Sequence, residues 1–211
     1  MKQGAESGPG LGSWTIAGSV VLTAALLVWV HAIDGAFVRR MALHIVLMSL
    51  LAPLVVLALA GRRARRVAGR PTLALATIAQ LTVLYLWHLP APHALATDSW
   101  QASLLMHASL GLVAVWFWHA VLIRKADSVW PAVAALLATG KLFCLLGVLY
   151  LLARRPLFVA DELLVSLEEQ QLAGLLMLIA CPLTYLGAAF VITCRAIAKA
   201  AGAPGPPVLS P

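Results

Sequence analysis

Six stretches of this chain are almost wholly apolar, and each is close to the about 20 residues that an α-helix needs to cross the hydrocarbon layer of a membrane. They cover residues 14–33, 41–60, 72–90, 102–123, 130–152 and 171–194. The strands of a membrane barrel would instead alternate in polarity over segments of about ten residues. The pattern therefore predicts an all-α fold, a polytopic membrane helix bundle with about six transmembrane helices.

The same pattern divides the chain into one membrane domain and two more polar ends. The first apolar stretch is longer than the about 7–15 residue core of a signal peptide, and only Lys2 precedes it as a basic residue, so we expect a retained span. We predict an N-terminal segment over 1–13, a transmembrane helical domain over 14–194 and a Pro- and Gly-rich tail over 195–211.

Composition and charge support a membrane protein and predict its orientation. Of the 211 residues, 62% are hydrophobic and 11% are charged, and the mean hydropathy is +0.95. Ten of the 15 Lys and Arg residues share one side of the predicted bundle: Lys2, Arg62, Arg63, Arg65, Arg66, Arg70, Arg124, Lys125, Arg195 and Lys199. Because positive charge is retained in the cytoplasm, we expect both termini there, in the cell inner membrane. This asymmetry and anionic lipids account for the net charge of +7 without nucleic acid.

The second apolar stretch begins with an unusual set of side chains. Met41, His44 and Met48 are spaced i, i+3 and i+7, which places two thioethers and an imidazole on one stripe of a helix. Two more imidazoles, His88 and His107, fall near the ends of neighbouring stretches and on the same predicted side of the membrane. Thioether sulfur and imidazole nitrogen suit copper, and Cu(I) in particular, better than hard cations. These five residues are therefore the candidate copper ligands.

Each of these residues also has an ordinary structural interpretation. A single His near the end of a span is commonly an interfacial side chain, and we prefer that interpretation for His31 and for His93, which is expected in a loop. Methionine in a span is commonly packing material. The coincidence of both residue types favours a metal site, provided that the folded helices bring them together.

The last apolar stretch begins with carboxylates and continues with small and sulfur-bearing residues. Gln170, Gly174, Met177 and Cys181 share one helical face, and Glu169 directly precedes them. Glutamate at a helix N-terminus is favoured by the helix dipole, and glycine allows close helix packing. Alternatively, Glu169 orients a metal-bound imidazole and Met177 contributes sulfur. The sequence leaves both interpretations open.

Lys141 occupies the middle of the stretch 130–152, where a charged side chain costs about 2.5–3.5 kcal/mol. The predicted spans contain no Asp or Glu that could pair with it. Backbone carbonyls, Gln80 or another subunit remain as candidate partners.

Several of these motifs, in their order and spacing, resemble the CtaG family of membrane cytochrome c oxidase assembly factors. They are Met41-Ala-Leu-His44 followed by Val46 to Pro53, then Trp87-His88-Leu-Pro90, then His107 with Trp116-Phe-Trp118, then Glu169-Gln-Gln-Leu-Ala-Gly174-Leu-Leu-Met177. Arg40 stands where the family commonly has a His, and Glu169 where it has an Asp. The resemblance implies site roles for His44, His88 and His107, and weaker correspondences for Met41, Glu169 and Met177.

The resemblance implies a role in respiratory chain biogenesis, as an assembly factor for a haem–copper oxidase that binds or delivers copper at the outer, periplasmic face. The expected partners are the oxidase subunits, a copper chaperone and membrane lipids. The chain shows no nucleophile paired with a base and no phosphate-binding glycine loop, so we do not expect an enzyme. Cu(I) binding needs neutral imidazoles and should weaken as the pH falls through about 6.5, the unperturbed histidine pKa.

Two other functions fit the same residues. A b-type haem electron carrier would use two of the histidines as axial ligands from facing helices. A metal-free assembly scaffold would bind the oxidase subunits and leave the histidines as interfacial side chains.

Overall fold

The computed structural model describes residues 18, 21, 24–26, 28–63, 70–123, 128–160 and 163–201. Within them, helix follows helix, with one short hairpin. Of the first predicted span, 14–33, the described residues up to His31 are helical. Ala32 and Ile33 follow as a turn and an irregular residue. The other residues of that span, the segment 1–13 and the tail beyond Ala201 lie outside the described residues.

The described helices and strands follow in chain order. Helix α1 (Ala36–Val46), a π-helical segment (Leu47–Leu51) and α2 (Ala52–Arg63) form one continuous run. They are followed by α3 (Arg70–Trp87), α4 (Pro90–Asp98), α5 (Trp100–Leu122) and α6 (Trp130–Leu152). Strands β1 (Val159–Ala160) and β2 (Leu163–Leu164) pair antiparallel, and α7 (Leu167–Ala201) ends the described chain.

Four of these helical units are long and apolar enough to cross a membrane: Ala36–Leu59, Trp100–Leu122, Trp130–Leu152 and Leu167–Ala201. Thr72–Trp87 and Pro90–Asp98 together would form a fifth, bent by 71° at the break between them. The predicted polytopic membrane helix bundle is confirmed. The count of about six is approximate, because the described residues give four spans or five and the first predicted span is only partly described.

The bend between α3 and α4 corrects two details of the sequence prediction. The predicted span 72–90 ends as a helix at Trp87, and Pro90 begins a new helix, in which its fixed φ suits the first turn. His93, expected in a loop, lies within α4 and is buried. The apolar run continues through Leu89 and Pro90, so hydropathy alone did not reveal the break.

The last helix is longer than the predicted stretch 171–194 and runs from Leu167 to Ala201. Glu168 and Glu169 lie in its first turn and Lys199 in its last, where each charge is favoured by the helix dipole. The predicted common face is confirmed, because Gln170, Gly174, Met177 and Cys181 are all buried.

Helices α6 and α7 pack along their length around two glycines. A Cβ atom on Gly174 would lie 2.7 Å from the carbonyl oxygen of Gly147, and one on Gly147 would lie 2.9 Å from the carbonyl oxygen of Gly174. Only glycine at both positions allows this approach. The contact fixes the register of α7 against α6.

The π-helical segment ends two residues before Pro53, which has no N–H to continue the regular helical ladder. The carbonyl of Met48, within this segment, accepts a hydrogen bond of 2.9 Å from Nε1 of Trp118 on α5. Trp118 packs in turn on Tyr185 of α7, with ring centroids 5.3 Å apart. The centre of the bundle is therefore aromatic and joins three helices.

Gln170 ties the connection between α6 and α7 to the bundle. Its Oε1 accepts a 2.7 Å hydrogen bond from the amide of Leu157, and its Nε2 donates to the carbonyl of Tyr150 at 3.3 Å. Phe158, the next residue of the connection, is buried against Tyr150, with centroids 5.2 Å apart. The connection thereby covers the end of the bundle at which α3 ends and α5 begins.

Candidate functional site

Three histidines from three helical elements meet at that end of the bundle. The ring centroid of His44, on α1, lies 5.1 Å from that of His88, at the end of α3, and 6.4 Å from that of His107, on α5. His44 and His88 meet edge to face, at an interplanar angle of 81°. The sequence predicted this set of residues, and the structure brings all three together. We call them the histidine cluster.

The histidine cluster is largely closed off from its surroundings. His44 is 2% exposed and His88 is 5% exposed, and His107 is partly buried. The Nδ1 atoms of His88 and His107 lie 2.7 Å from the carbonyl oxygens of Leu84 and Ser103, one helical turn earlier. Because a carbonyl can only accept, each Nδ1 bears the proton in the neutral ring, and the Nε2 lone pair is available.

The free nitrogens of the cluster are its chemical signature. Within the described part of the chain, these buried ring nitrogens have no hydrogen-bond partner: Nδ1 and Nε2 of His44, Nε2 of His88 and Nε2 of His107. A buried polar atom without a partner is costly and uncommon in proteins. Backbone hydrogen bonds to the other ring nitrogen are the usual means by which proteins orient imidazole ligands of metals. The donor atoms present therefore fit a soft or borderline metal ion.

The distances between the ring centroids would allow the histidines to share one metal ion. Their side chains, however, do not already form a metal site. Because a bond from imidazole nitrogen to a transition metal is about 2 Å long, two rings on one ion have centroids about 5–6.5 Å apart. Among the described residues, no group of three His, Cys, Asp or Glu side chains stands ready to hold a metal ion. The three rings would have to rotate to share one ion, or a thioether would complete a site with two of them.

The two predicted thioethers lie in the same region of the core. Met41 is fully buried and Met48 is 2% exposed, on the helical run that holds His44. Met48 falls in the π-helical segment, where backbone hydrogen bonds span five residues instead of four. Both residues therefore fit the packing role that methionine commonly has, and burial alone does not separate that role from ligation.

His93 forms a neighbouring aromatic group rather than part of the histidine cluster. Its ring centroid lies 5.1 Å from that of Phe37 and 4.8 Å from that of Phe158, and its Nε2 is buried without a partner among the described residues. The turn that holds His93 is tied to α1, because Arg40 Nη1 donates to Thr97 Oγ1 at 2.6 Å and Thr97 donates to the His93 carbonyl.

Tyr150 borders the cluster and was not predicted from the sequence. Its ring stacks on that of His88 at 6.0 Å, and its hydroxyl donates to the His88 carbonyl at 3.2 Å. Tyr150 therefore fixes the backbone at which α3 ends. Tyr150 lies within an apolar run of the sequence. No pattern there distinguishes a tyrosine that borders a site from one that anchors a span at the membrane surface.

The remaining predicted residues lie elsewhere. His31 is exposed, and Met177 is buried in the core. The carboxylate of Glu169 lies against Gly35, since a Cβ on that glycine would be 2.7 Å from Oε1. The Nδ1–H groups of His88 and His107 donate to backbone carbonyls, not to the carboxylate of Glu169.

Lys141 is exposed on α6. Its candidate partner Gln80 is buried and donates instead to the hydroxyl of Tyr185 at 3.0 Å.

Comparison with known families decides the affiliation of the chain. The model of the cytochrome c oxidase caa3 assembly factor family, Caa3_CtaG, matches residues 9–199. The chain belongs to this family. The family description names an assembly factor for cytochrome c oxidase, which implies the oxidase as a partner and suggests a non-enzymatic role. No curated protein and no solved structure matches the chain significantly.

Proposed function

We propose that this caa3 assembly factor holds Cu(I) transiently at the histidine cluster and passes it to the oxidase. The single observation behind the proposal is the meeting of His44, His88 and His107, whose buried Nε2 atoms have no hydrogen-bond partner among the described residues. Neutral imidazoles and thioethers bind a soft monovalent ion without requiring a buried negative charge.

The chain supplies two features that suit a transient site. The carbonyls of Leu84 and Ser103 hold two rings with their Nε2 lone pairs available, so the ligands are prepared without a proton transfer. The three rings lie near one another, but they do not already form a three-ligand metal site. A site that must adjust to close around its cargo can also open to release it, and Met41 or Met48 would complete the coordination.

The proposal places the cluster at the outer, periplasmic face of the cell inner membrane. Its support is the distribution of Lys and Arg, which favours cytoplasmic termini and so directs the end of α3 and the start of α5 outward. A copper chaperone on that side would deliver the ion, and an oxidase subunit would accept it.

The test is metal analysis with an absorption spectrum. The full chain is purified anaerobically in detergent from cells supplied with copper and a haem precursor. We expect about one copper ion per chain and no Soret band, since Cu(I) has a filled d shell and absorbs little visible light. A His119→Gln variant, altered at an exposed histidine of the same helix as His107, should retain the copper.

Other outcomes would contradict the proposal. Copper content that is the same in a His44→Ala, His107→Ala double variant would exclude the histidine cluster as its site. A Soret band lost in the same variant would instead support the b-type haem function. Neither metal nor haem, with normal oxidase maturation in the double variant, would support a metal-free scaffold.

A further inference from the structure

Lys141 lies at the middle of α6 and is exposed. Eleven residues separate it from Trp130 at one end of the helix and eleven from Leu152 at the other, which is about 16 Å in each direction at the helical rise. The hydrocarbon layer is about 30 Å thick, so a lysine side chain at this depth cannot extend its ammonium group to either headgroup region. The ammonium therefore faces the centre of the bilayer.

No group in the described part of the chain satisfies this ammonium. No described carboxylate pairs with it, and the side chain lies on the surface of the bundle. Helix α7 packs on α6 at Gly140 and Gly147, to one side of Lys141. The carbonyl of its neighbour Leu142 accepts a hydrogen bond from Tyr85 at 2.7 Å, so α3 occupies one flank.

The exposed residues around Lys141 form an apolar stripe along α6. We call it the α6 face: Ala134, Leu137, Ala138, Lys141, Leu145, Val148 and Leu149, all exposed. They are spaced at three and four residues and follow one stripe of the helix. Lipid chains would cover the apolar residues well, but they provide neither a hydrogen-bond acceptor nor a negative charge for the ammonium.

We propose that the α6 face binds a transmembrane helix of another protein, and that this helix presents an Asp or Glu carboxylate to Lys141 near the bilayer centre. Intramembrane charges commonly pair with one another across helices. Because the family is one of cytochrome c oxidase assembly factors, we assign this helix to a membrane subunit of the oxidase. The interaction would let the assembly factor recognise a subunit whose carboxylate is still accessible.

A second copy of the same chain cannot supply the carboxylate. The eight acidic residues are Glu6, Asp34, Asp98, Asp127, Asp161, Glu162, Glu168 and Glu169, and all of them lie at the ends of the apolar stretches or between them. A homodimer through the α6 face would place two ammonium groups near each other in hydrocarbon. Charge complementarity therefore points to a different protein.

The experiment introduces a photo-crosslinking amino acid at Leu145, one turn from Lys141 on the α6 face and 59% exposed. Membranes from cells that are assembling the oxidase are irradiated, and the crosslinked peptide is identified by mass spectrometry. We expect a peptide of an oxidase membrane subunit that contains an Asp or Glu within a transmembrane segment. The same crosslinker at Phe190, 70% exposed on α7, is the control for random lipid-phase collisions.

Variants of Lys141 test the charge pair itself. Lys141→Met should lower the crosslink yield from position 145 about tenfold or more, since the partner's carboxylate would be left unpaired. Lys141→Arg should preserve the yield. A yield unchanged by Lys141→Met, or crosslinks only to lipid or to a second copy of the chain, would overturn the proposal.

The outcome is independent of the copper proposal. Lys141 lies nine residues, or about 13 Å along α6, from Tyr150, which borders the histidine cluster. Lys141→Met should therefore bind as much copper as the unchanged protein. An unchanged thermal unfolding temperature in detergent shows that the variant is folded, whether or not the chain binds copper. Loss of the crosslink with retained copper would support the α6 face. A protein without copper that still crosslinks through a lysine-dependent contact would overturn only the copper site.

Discussion

The imidazole of His44 meets that of His88 edge to face, with ring centroids 5.1 Å apart. The two residues come from α1 and from the end of α3, and His107 of α5 lies 6.4 Å from His44 on another side. His44 is thus the member that both other histidines approach. A change at His44 should therefore affect the cluster more than a change at either neighbour.

The first prediction concerns the thioethers. Met41→Leu and Met48→Leu keep the apolar volume of the core and remove sulfur, so we expect the thermal unfolding temperature in detergent to change little. If either sulfur binds copper, the matching variant should lose about tenfold or more in Cu(I) affinity, measured anaerobically by competition with a coloured chelator. Met106→Leu, a buried methionine beside His107, is the control. Equal affinities in all three variants would assign the methionines to packing alone.

The second prediction concerns the contact between α6 and α7. Gly174→Ala would place a Cβ atom 2.7 Å from the Gly147 carbonyl oxygen and 2.8 Å from the Leu151 amide nitrogen. Neither backbone atom can move without shifting a helix, so we expect a loss of stability of about 1–3 kcal/mol, as is typical of overpacking.

Gly187→Ala, on the same helix, is the matched control for this prediction. A Cβ there meets nothing within 4 Å, and alanine is the better helix former by about 0.5–1 kcal/mol. Thermal unfolding in detergent should therefore show a lower midpoint for Gly174→Ala and an unchanged or higher one for Gly187→Ala. Equal midpoints would mean that α7 does not pack on α6 at these glycines.

The third prediction concerns a buried polar pair in the middle of the bundle. Gln80 Nε2 donates to the Tyr185 hydroxyl at 3.0 Å, and both side chains are fully buried. Interhelical hydrogen bonds in membrane proteins average about 0.6 kcal/mol, with a maximum of about 1.7 kcal/mol. A double-mutant cycle with Gln80→Leu and Tyr185→Phe should therefore give a coupling free energy of unfolding in that range. Additive single effects would show that the hydrogen bond does not couple α3 to α7.

Much of the fold could be predicted from hydropathy, because each long apolar run has only one stable form in lipid, the helix. The boundaries were less accurate where the runs do not change composition. Leu89 and Pro90 continue an apolar run, yet the chain bends there, and His93 enters a short buried helix. The last helix continues past residue 194 because Arg195 and Lys199 are good helix formers at a favourable end.

The sequence predicted which residues form the candidate site, but not how they are arranged. The spacing of Met41, His44 and Met48 placed them on one stripe, but which helices face that stripe depends on packing that hydropathy does not encode. The bend before Pro90, where α3 ends at Trp87, places His88 at the end of that helix. The hydrogen bond from Tyr150 to the His88 carbonyl has no signal in a single sequence.

The central claim is that the histidine cluster is the copper site, and the most direct test is the Cu(I) affinity of the full chain in detergent. A His44→Ala, His107→Ala double variant is compared with a His31→Ala, His119→Ala double variant, which removes two exposed imidazoles instead. We predict that the first loses more than the about 10–100-fold that loss of an outer-shell partner costs. The second should match the unchanged protein. Equal affinities in the two double variants would contradict the claim.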